Sequence, residues 1–376
     1  MNDFDEEKKR STVILHIAPI TGTKITGLTH SIPSLVKALH EVGVTTGLLT
    51  TASSGPYTPA QPYPVVYIRD LPISAAIAAM PKPLNQPDII VFHSTYIPVH
   101  AWLAYESYRS HIPYVICPRG GMTRGAQQVK QWKKVIGNLL FFNWMVRHAA
   151  ALHYLTQQEA ADAKAWNRPI FIVGNPVDLP PVKMLACPGK KEKLQFVFIG
   201  RLDINHKGLD FLLEACAIAQ ASLREARVQV HLYGPDVQGS RQAIEKIIES
   251  YQIQDFVYLQ NPVLGSSKQA VLQQVDLFVH TSRFEGHPMA VLEAMAYGIP
   301  CLLTPGTNMA DEVAEAEAGW KVELNAVAIA DAMRNVLSAR AELPARGYAA
   351  RNLVESKYSR EQIGMQLLKE YVNLLS

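Results

Sequence analysis

The sequence predicts an α/β protein with two doubly wound parallel sheets, each in a domain of its own. The chain has 376 residues, which is more than one compact core commonly holds. Its composition, 48% hydrophobic and 18% charged, is that of a globular protein and not of a disordered one. Short runs of Val, Ile, Leu and Phe alternate with amphipathic stretches along the whole chain, which is typical of parallel strands joined by crossover helices.

Two series of apolar runs supply the predicted strands. The first series consists of TVILHIA, TTGLLT, PVVYI, DIIVFH, YVICP, ALHYL and IFIVG. A segment rich in Pro and Lys, residues 179–193, follows it and is interpreted as an interdomain linker. The second series consists of LQFVFIG, VQVHLYG, FVYL, DLFVHTS, PCLLT and GWKVE. We therefore expect a first domain at residues 1–180 and a second at residues 194–357.

Cysteine usage, hydropathy and charge exclude several classes of protein. The four cysteines form no CxxC pair and show no metal-ligand spacing, so a disulfide or zinc framework is excluded. No apolar run is long enough to span a bilayer, and the charged N-terminus lacks a signal-peptide pattern, which together indicate a cytoplasmic protein. Residues 1–180 carry 16 Lys and Arg against 11 Asp and Glu (+5), and residues 181–376 carry 20 against 22 (−2). This small excess argues against nucleic acid as a partner but suits an anionic substrate or a phospholipid surface.

The stretch RFEGHPMAVLEAMAYGIP (Arg283–Pro300) predicts a helix that follows a buried strand. The run DLFVHTS is the strand. Pro288 suits the first turn of the helix, because its missing N–H costs nothing there and its φ is already helical. Gly298 then ends the helix, and Pro300 follows it.

This stretch places one carboxylate on each side of a predicted anion site. Glu285 lies in the strand–helix loop, and Glu293 lies about two turns away, inside the helix. The backbone amides of Met289–Val291 are free at the helix start and can bind an anion. A nucleotide sugar offers matching groups: a diphosphate for the helix start, and ribose and hexose hydroxyls for the two glutamates. A core helix with two solvated glutamates is the alternative, because acidic residues commonly pair with a helix dipole.

A second element, FVFIGRLDINHKGLDFLLEA, favours the nucleotide-sugar interpretation. A strand ends at Gly200, Arg201 follows it, and Lys207 with Gly208 precedes an amphipathic helix. Either cation alone would more commonly be surface charge or pair with a carboxylate. Together with an anion-binding helix start in the same domain, they predict a clamp for a diphosphate.

The segments GRLDINHKG, HLYGP and FEGHPMAVLEAMAYGIP, in this order, resemble the retaining glycosyltransferases of family 4. Two glutamates with seven residues between them are that family's signature. The resemblance is strong over residues 196–324 and weak over the first domain. It implies the GT-B fold: two Rossmann-like domains that face each other across a cleft, and a C-terminal helix, residues 358–376, that returns to the first domain.

The resemblance also implies roles for the matching residues. Arg201 and Lys207 would bind the diphosphate of the donor and stabilise the leaving group. Glu285 would contact the transferred sugar and Glu293 the ribose, while the segment QNPV with Val263 would lie near the base. The implied donor-binding set is Thr26, Gly27, Gly200, Arg201, Lys207, Val263, Glu285, Gly286, His287, Pro288, Met289, Ala290, Val291 and Glu293.

The first domain departs from the family pattern at two places. The family usually has a Gly-Gly pair after the first strand, where this chain has Thr26 and Gly27. Arg119, in CPRGGM, stands where a histidine is common. An arginine stays charged and cannot act as a base. It could stabilise negative charge, which adds it to the predicted catalytic residues, or bind an anionic acceptor together with His93 and Gly120 near the cleft.

The sequence therefore predicts a retaining transferase that moves a hexosyl unit from a UDP- or GDP-sugar to a hydroxyl acceptor, in bacterial polysaccharide or glycolipid assembly. No metal or other cofactor is expected. The DFD at Asp3–Asp5 resembles a metal-binding DxD, but it lies in a charged tail and is interpreted as solvated. The alternatives are a nucleotide-sugar epimerase or a phosphorylase on the same fold, and a non-catalytic partner subunit.

The segment VKQWKKVIGNLLFFNWMVRH, residues 129–148, predicts contact with a membrane. Lysines surround an aromatic residue at its start, and apolar residues follow at mostly helical spacing: Lys130, Trp132, Lys133, Lys134, Val135, Ile136, Leu139, Leu140, Phe142 and Trp144. This pattern resembles an interfacial helix, whose lysines meet anionic head groups. A helix packed on the sheet of the first domain is the alternative. The charge of the first domain favours the inner face of the membrane and a glycan or lipid-linked acceptor.

Overall fold

The computed structural model describes residues 12–20, 27–52, 60–122, 141–163, 166–189 and 192–375. The chain divides into two compact units. The first unit consists of Met1–Pro176 with Tyr358–Ser376, and the second unit consists of Val177–Lys357. Each unit contains one parallel sheet, so the predicted two-sheet α/β architecture is confirmed.

The first unit holds a seven-stranded sheet in the order β3-β2-β1-β4-β5-β6-β7. All seven runs predicted for this half are strands: β1 (Val13–Ala18), β2 (Thr45–Thr50), β3 (Val65–Tyr67), β4 (Ile89–His93), β5 (Tyr114–Cys117), β6 (Ala151–Tyr154) and β7 (Ile170–Ile172). The central strand β4 is buried along its whole length, because helices cover both faces of the sheet. The described helices between these strands are α1 (Gly27–Glu41), α2 (Pro98–Arg109), α3 (Asn143–His148) and α4 (Gln157–Asp162).

The second unit holds a six-stranded sheet in the order β10-β9-β8-β11-β12-β13. The six predicted runs are again strands: β8 (Gln195–Ile199), β9 (Gln229–Tyr233), β10 (Val257–Gln260), β11 (Leu277–His280), β12 (Cys301–Leu303) and β13 (Gly319–Lys321). Its helices are α5 (Ile204–Lys207), α6 (Leu209–Ile218), α7 (Gln220–Glu225), α8 (Ser240–Ser250), α9 (Gly265–Leu272), α10 (Met289–Ala296), α11 (Ala310–Glu315), α12 (Ala326–Ser338) and α13 (Leu343–Lys357).

The strand order of the second unit positions its site. From β8 the chain runs to β9 on one side, and it later returns to β11 on the other side. The loops that leave β8 and β11 therefore emerge side by side at the carboxyl edge of the sheet. In open parallel sheets such a switch point is where ligands bind.

The C-terminal helix α14 (Arg360–Leu375) belongs to the first unit and packs on α1. The two backbones approach closely at Gly364, where a Cβ atom would lie 2.4 Å from the carbonyl oxygen of Ala38. The Arg360 Nε atom is 2.8 Å from a carboxylate oxygen of Glu41. The predicted return of this helix to the first domain is thus confirmed.

The Pro- and Lys-rich segment is bound to the second unit in its described residues. The Ala186 amide donates to the Tyr297 carbonyl at 2.9 Å, and the Gly189 amide donates to the Asp276 carboxylate at 2.7 Å. The Arg351 guanidinium donates to the Pro180 carbonyl at 3.2 Å. Residues 177–189 are accordingly part of that compact unit.

Candidate active site

The loop after β8 carries both predicted cations and the short helix α5. The Asp203 carboxylate caps α5 by accepting the His206 amide at 3.0 Å. Gly208 ends α5 in the left-handed region, with φ 61°. A Cβ atom at Gly208 would lie 2.1 Å from the Thr281 carbonyl oxygen, so only glycine fits between the two loops. Lys207 is buried and Arg201 is exposed.

Hydrogen bonds join this loop to the loop after β11. The Thr281 hydroxyl lies 3.1 Å from the carbonyl oxygens of both Lys207 and Gly208. The Arg283 amide donates to the His206 carbonyl at 3.0 Å. The Arg283 guanidinium also pairs with both carboxylate oxygens of Asp210, at 2.8 and 2.6 Å. The two loops therefore form one rigid edge.

Glu285 is the centre of this edge. Its Oε1 atom accepts from the Lys207 ammonium, from the Ser282 hydroxyl at 2.8 Å and from the His280 Nε2 at 3.2 Å. Burial alone would raise the pKa of Glu285, but the Lys207 ammonium and then His280 outweigh it and lower the pKa well below its usual range. The Glu285 carboxylate is therefore ionised at neutral pH, with its second oxygen, Oε2, outside these three contacts.

His280, the last residue of β11, orients the Glu285 carboxylate from the end of the strand. Its ring is buried and stacks on Phe198, with ring centroids 5.2 Å apart. Burial lowers the pKa of His280, so the imidazole is neutral. Because a carboxylate only accepts hydrogen bonds, the proton of the imidazole lies on Nε2. His280 thus acts as a fixed donor to Glu285.

His206 positions the exposed cation Arg201, as His280 positions Glu285. The Arg201 guanidinium donates to His206 Nδ1 at 3.1 Å, and His206 Nε2 donates to the Phe284 carbonyl at 2.7 Å. Burial lowers the pKa of His206, so Nδ1 is available as an acceptor. His206 and His280 are not among the residues predicted from the sequence. The one available signal was the position of His206 directly before Lys207.

The helix α10 begins one residue later than predicted. It starts at Met289, and Pro288 is its N-cap with φ −75° and ψ 107°, so the placement of Pro288 within the first turn was wrong. The Pro288 carbonyl accepts the amides of Val291 and Leu292 at 3.1 and 3.3 Å. The prediction that the Val291 amide is free for an anion was therefore also wrong. Met289 and Ala290 are the amides that this helix start leaves for a ligand.

The end of α10 agrees with the prediction. Gly298 has φ 73°, and the amides of Gly298 and Ile299 donate to the carbonyls of Met295 and Ala294 at 2.9 and 3.1 Å. These two bonds form a Schellman motif, which ends the helix at a glycine.

Glu293 lies inside α10, as predicted, and has a lysine partner of its own. The ammonium of Lys268, from α9, binds the Glu293 Oε2 atom. Both side chains are partly exposed. Lys268 was not predicted, because its partner lies 25 residues further along the chain.

The remaining predicted donor residues lie around this edge. The Asn308 side chain donates to the carbonyls of Glu285 and Gly286 and fixes the loop before α10. His287 is buried, and Val263 lies half-buried in the loop before α9. Gly200, after β8, packs against Gly234, after β9. A Cβ atom at Gly234 would lie 1.7 Å from the Gly200 carbonyl oxygen.

In the first unit, the Arg119 guanidinium is directed inward, at the carboxyl edge of the sheet. It donates to His93 Nδ1 at 3.2 Å, to the Ser31 hydroxyl at 2.9 Å and to the side-chain Oδ1 atom of Asn175 at 3.0 Å. Its backbone lies in the left-handed region, with φ 52°. The amide of the next residue, Gly120, donates to the carboxylate of Glu159, whose pKa is raised by burial.

The network continues from His93, at the end of β4, to His16 of β1. The rings of His16 and His93 are stacked, and His16 Nδ1 lies 2.9 Å from His93 Nε2. Burial, and then the nearby Arg119 charge, lower the pKa of His16 to about 3 and that of His93 well below its usual value. Because Arg119 donates to His93 Nδ1, the neutral His93 carries its proton on Nε2 and donates to His16. Gly27 begins α1, and Thr26 lies outside the described residues.

Some predictions lie wholly or partly outside the residues that the structure describes. These include Asp3–Asp5 and residues 129–140 of the predicted interfacial helix; of its end, Phe142 is buried and Trp144 lies on α3. Among the described residues, no group of three His, Cys, Asp or Glu side chains could hold a metal ion. None of the described helices is both long and apolar enough to cross a membrane.

Fold and site together define a protein of the GT-B class, with two Rossmann-like sheets and a basic, carboxylate-containing edge on the second. Residues 193–339 match the family described as "Glycosyl transferases group 1", and residues 26–176 match the "Glycosyl transferase 4-like domain". The chain therefore belongs to the GT4-type glycosyltransferases, and the resemblance seen in the sequence is confirmed.

Several known proteins match parts of the chain. WcaL of Escherichia coli strain K12, which carries the name "Putative colanic acid biosynthesis glycosyltransferase WcaL", is 29% identical over 198 residues, which cover 50% of this chain and 46% of WcaL. A GDP-mannose:cellobiosyl-diphosphopolyprenol alpha-mannosyltransferase of Xanthomonas oryzae is 32% identical over 120 residues, which cover 31% of this chain and 30% of that enzyme. The matches span less than half the length of either relative.

Solved structures show the same fold over nearly the whole chain. Sucrose-phosphate synthase from Thermosynechococcus elongatus superposes with a TM-score of 0.74 at 16% identity and covers 96% of this chain and 99% of its own. Anabaena HepE, solved in complex with UDP and glucose, has a TM-score of 0.73 at 14% identity, over 96% and 100%. The predicted GT-B fold is confirmed.

Proposed function

We propose that this protein is a retaining hexosyltransferase that uses a nucleoside-diphosphate sugar, with UDP or GDP as the nucleotide, and a hydroxyl acceptor of a growing polysaccharide or glycolipid. The observation that carries the proposal is the ionised Glu285, held by Lys207 and His280 at the switch point of the second sheet. The UDP bound in the HepE structure and the GDP-mannose in the name of the mannosyltransferase relative support this class of donor.

The diphosphate would bind at the two cations and the start of α10. An ammonium has three donors, so Lys207 can keep its bond to Glu285 and still contact a phosphate oxygen. The bond to His206 uses one of the five N–H donors of Arg201, and the others can reach the ligand. The amides of Met289 and Ala290 would contribute at the helix start. Fixed donors of this kind stabilise the charge that develops on a departing diphosphate.

The two glutamates would divide the hydroxyls of the donor between them. All three donors to Glu285 contact Oε1, which leaves Oε2 for a hydroxyl of the transferred sugar. The Lys268 contact on Glu293 uses Oε2, which leaves Oε1 for the ribose. The proposal includes no enzyme nucleophile, so retention requires the acceptor oxygen to bond to the anomeric carbon on the face from which the diphosphate leaves. The bond from that carbon to the diphosphate breaks, and the departing diphosphate oxygen takes the proton of the acceptor hydroxyl. This arrangement retains the anomeric configuration.

The acceptor would bind at the carboxyl edge of the first sheet, with His93, Arg119 and Gly120 near it, while Gly27 at the start of α1 stays with the proposed donor site. Arg119 is already bound to His93, Ser31 and Asn175. Its role in this proposal is to position that edge and to supply positive charge for an anionic group. A glycan or a lipid-linked glycan is the acceptor class, with the protein at the inner face of the membrane and residues 129–148 in peripheral contact with it.

Donor turnover tests the proposal. The purified protein is incubated with a panel of UDP- and GDP-hexoses, with and without a polysaccharide or lipid-linked acceptor, and the released nucleoside diphosphate is measured. We expect release with one donor, acceleration by acceptor, a product of retained anomeric configuration by NMR, and full activity in excess chelator. Epimerised donor without release, release that needs added phosphate, or no reaction and no thermal shift with any donor would contradict it. Activity that only magnesium or manganese restores would contradict the metal-free part.

A further inference from the structure

An exposed aromatic stripe runs along α2 in the first unit. Trp102, Tyr105 and Tyr108 follow one another at intervals of three residues and are 47%, 44% and 50% exposed. The buried side of the helix is formed by other residues, among them Leu103 and Ala104. The packing of α2 on the sheet therefore does not account for the three rings. A contiguous exposed apolar patch of this kind marks an interaction site.

The stripe continues onto neighbouring elements. The Trp144 ring of α3 lies 5.6 Å from that of Tyr105 and 5.5 Å from that of Tyr108. The Trp102 indole nitrogen donates to the Ile73 carbonyl at 3.3 Å, and the Ile73 side chain is itself exposed. We call these five residues the aromatic surface. Ring–ring contacts of this kind hold the rings in place before a partner arrives.

The sequence from the end of α2 through α3 is positively charged. Residues 107–158 contain no Asp or Glu and seven Lys and Arg residues, of which Arg119 is bound inward and Arg124, Lys130, Lys133 and Lys134 lie outside the described residues; the other two are Arg109 and Arg147. These two are exposed near the ends of α2 and α3. The nearest acid on α2 is Glu106, and burial raises its pKa. This charge suits an anionic partner.

We propose that the aromatic surface docks onto the anionic surface of a lipid bilayer, with its rings at the depth of the head groups and Arg109 and Arg147 against lipid phosphates. Trp and Tyr prefer this interface because their rings are apolar at one end and polar at the other. A second copy of the chain fits less well, since it would place the same positive charge against itself. The inference rests on the proposed function in one respect. A lipid-borne acceptor, which that function includes, is the reason why the enzyme would need to bind the membrane.

Vesicle co-sedimentation tests this inference. Phosphatidylcholine vesicles with and without phosphatidylglycerol are mixed with the wild type, with a Trp102→Ser, Tyr105→Ser, Tyr108→Ser variant and with Arg109→Gln, Arg147→Gln. We expect the wild type to bind the anionic vesicles at low salt and to be released by high salt. The aromatic variant should bind about tenfold or more weakly. Each lost arginine should weaken binding about fivefold.

Matched controls carry the same changes elsewhere. Tyr251→Ser with Tyr348→Ser removes two exposed rings of the second unit, and Lys246→Gln with Lys369→Gln removes two exposed charges. Both controls should bind as the wild type does, and all variants should keep the wild-type thermal unfolding.

Three results would overturn the inference. One is equal binding of the wild type to anionic and neutral vesicles, and another is wild-type binding by the aromatic variant. The third is a wild-type dimer in sedimentation velocity that the aromatic variant dissolves, without vesicle binding, which would assign the surface to a second copy. Release of nucleoside diphosphate without vesicles is measured separately, so failure of the proposed function is distinguishable from failure of this inference.

Discussion

The carboxyl edges of the two sheets hold their basic side chains in different ways. At the second sheet, Lys207 is paired with the ionised Glu285. At the first sheet, the Arg119 guanidinium is bound to neutral groups among the described residues, namely the imidazole of His93, the hydroxyl of Ser31 and the amide of Asn175.

This difference indicates two kinds of site. The edge of the second sheet is suited to bind and release a ligand, whereas the edge of the first sheet is fixed by its own hydrogen bonds. The charge of Lys207 is balanced without a ligand, which removes much of the cost of keeping a cation there. Its unused N–H donors remain for a phosphate. Arg119 instead ties the ends of β4 and β5 to α1 and to the segment after β7 through three hydrogen bonds. We therefore expect substitutions at the second edge to change catalysis and donor binding, and substitutions at the first edge to change stability and acceptor use.

The largest effect is expected from removing either cation of the second edge. Lys207→Ala and Arg201→Ala should each remove about 2–4 kcal/mol of transition-state stabilisation, as for loss of one charge-stabilising donor. Steady-state kinetics with the donor found in the panel measures kcat/KM, and Lys246→Ala on α8 serves as an exposed control. A decrease below threefold for either variant would place the diphosphate elsewhere.

Glu285→Gln should mainly slow the transfer step. The amide keeps the shape of the side chain but loses the charge that pairs with Lys207 and that binds the transferred sugar. We expect kcat to fall about 100-fold while KM for the donor stays within about threefold. Glu245→Gln on α8 is the matched control. A KM that rises as much as kcat falls would mean that Glu285 contributes to ground-state binding instead.

Acid should weaken the first unit more than the second. Burial lowers the pKa of His16, His100 and His153 to about 3 and that of His93 well below its usual value. Since these folded-state values lie below the unfolded value of about 6.5, the unfolded state binds more protons as the pH falls. The stability is therefore complete only well above pH 6.5, and it decreases as the pH falls through that value toward pH 3. In the second unit burial also lowers the pKa of three histidines, His206, His231 and His280, but none of them to a value as low as about 3.

Hydrogen exchange at pH 7 and pH 6, corrected for intrinsic rates, measures this difference strand by strand. The four histidines of the first unit should together remove about 2–3 kcal/mol of unfolding free energy over that interval. Protection of β1 and β4 should fall more than that of β8 and β11. Equal losses of protection in both units would show that the four histidines of the first unit do not make it more sensitive to acid.

The smallest effect is expected from Glu293. Glu293→Gln should weaken donor binding about tenfold, about 1.4 kcal/mol, and change kcat by less than threefold. A ribose contact also predicts that the wild type distinguishes the nucleotide from its 2′-deoxy or 3′-deoxy analogue and that the variant does not. If the variant discriminates as well as the wild type does, Glu293 does not bind the ribose.

Most of the fold could be predicted from the sequence because its signals are local. Each strand is a short apolar run bounded by turn residues, and the end of α10 is encoded by Gly298. The positions of Glu285, Arg201 and Lys207 after strand ends, and of Glu293 inside α10, could be predicted for the same reason, while their roles in donor binding stay predictions.

The parts of the site that the sequence did not predict depend on tertiary contacts. Lys268 reaches Glu293 from another helix, 25 residues away along the chain. His280 contacts Glu285, five residues further on, because the loop after β11 folds back. Arg119 has a left-handed backbone conformation and is bound inward by partners from three other segments, and no local pattern signals either feature. The start of α10 was placed one residue early because an N-cap proline and a first-turn proline have the same sequence pattern.

The affinity for the nucleoside diphosphate alone tests the contrast between the two edges most directly. Calorimetric titration of UDP or GDP, whichever the wild type binds, is repeated with Lys207→Met and with Arg119→Met. We expect the lysine variant to bind at least about tenfold more weakly, about 1.4 kcal/mol, and the arginine variant to bind within about twofold of the wild type. Unchanged binding by Lys207→Met, or a loss confined to a folded Arg119→Met, would contradict the assignment of the donor to the second sheet.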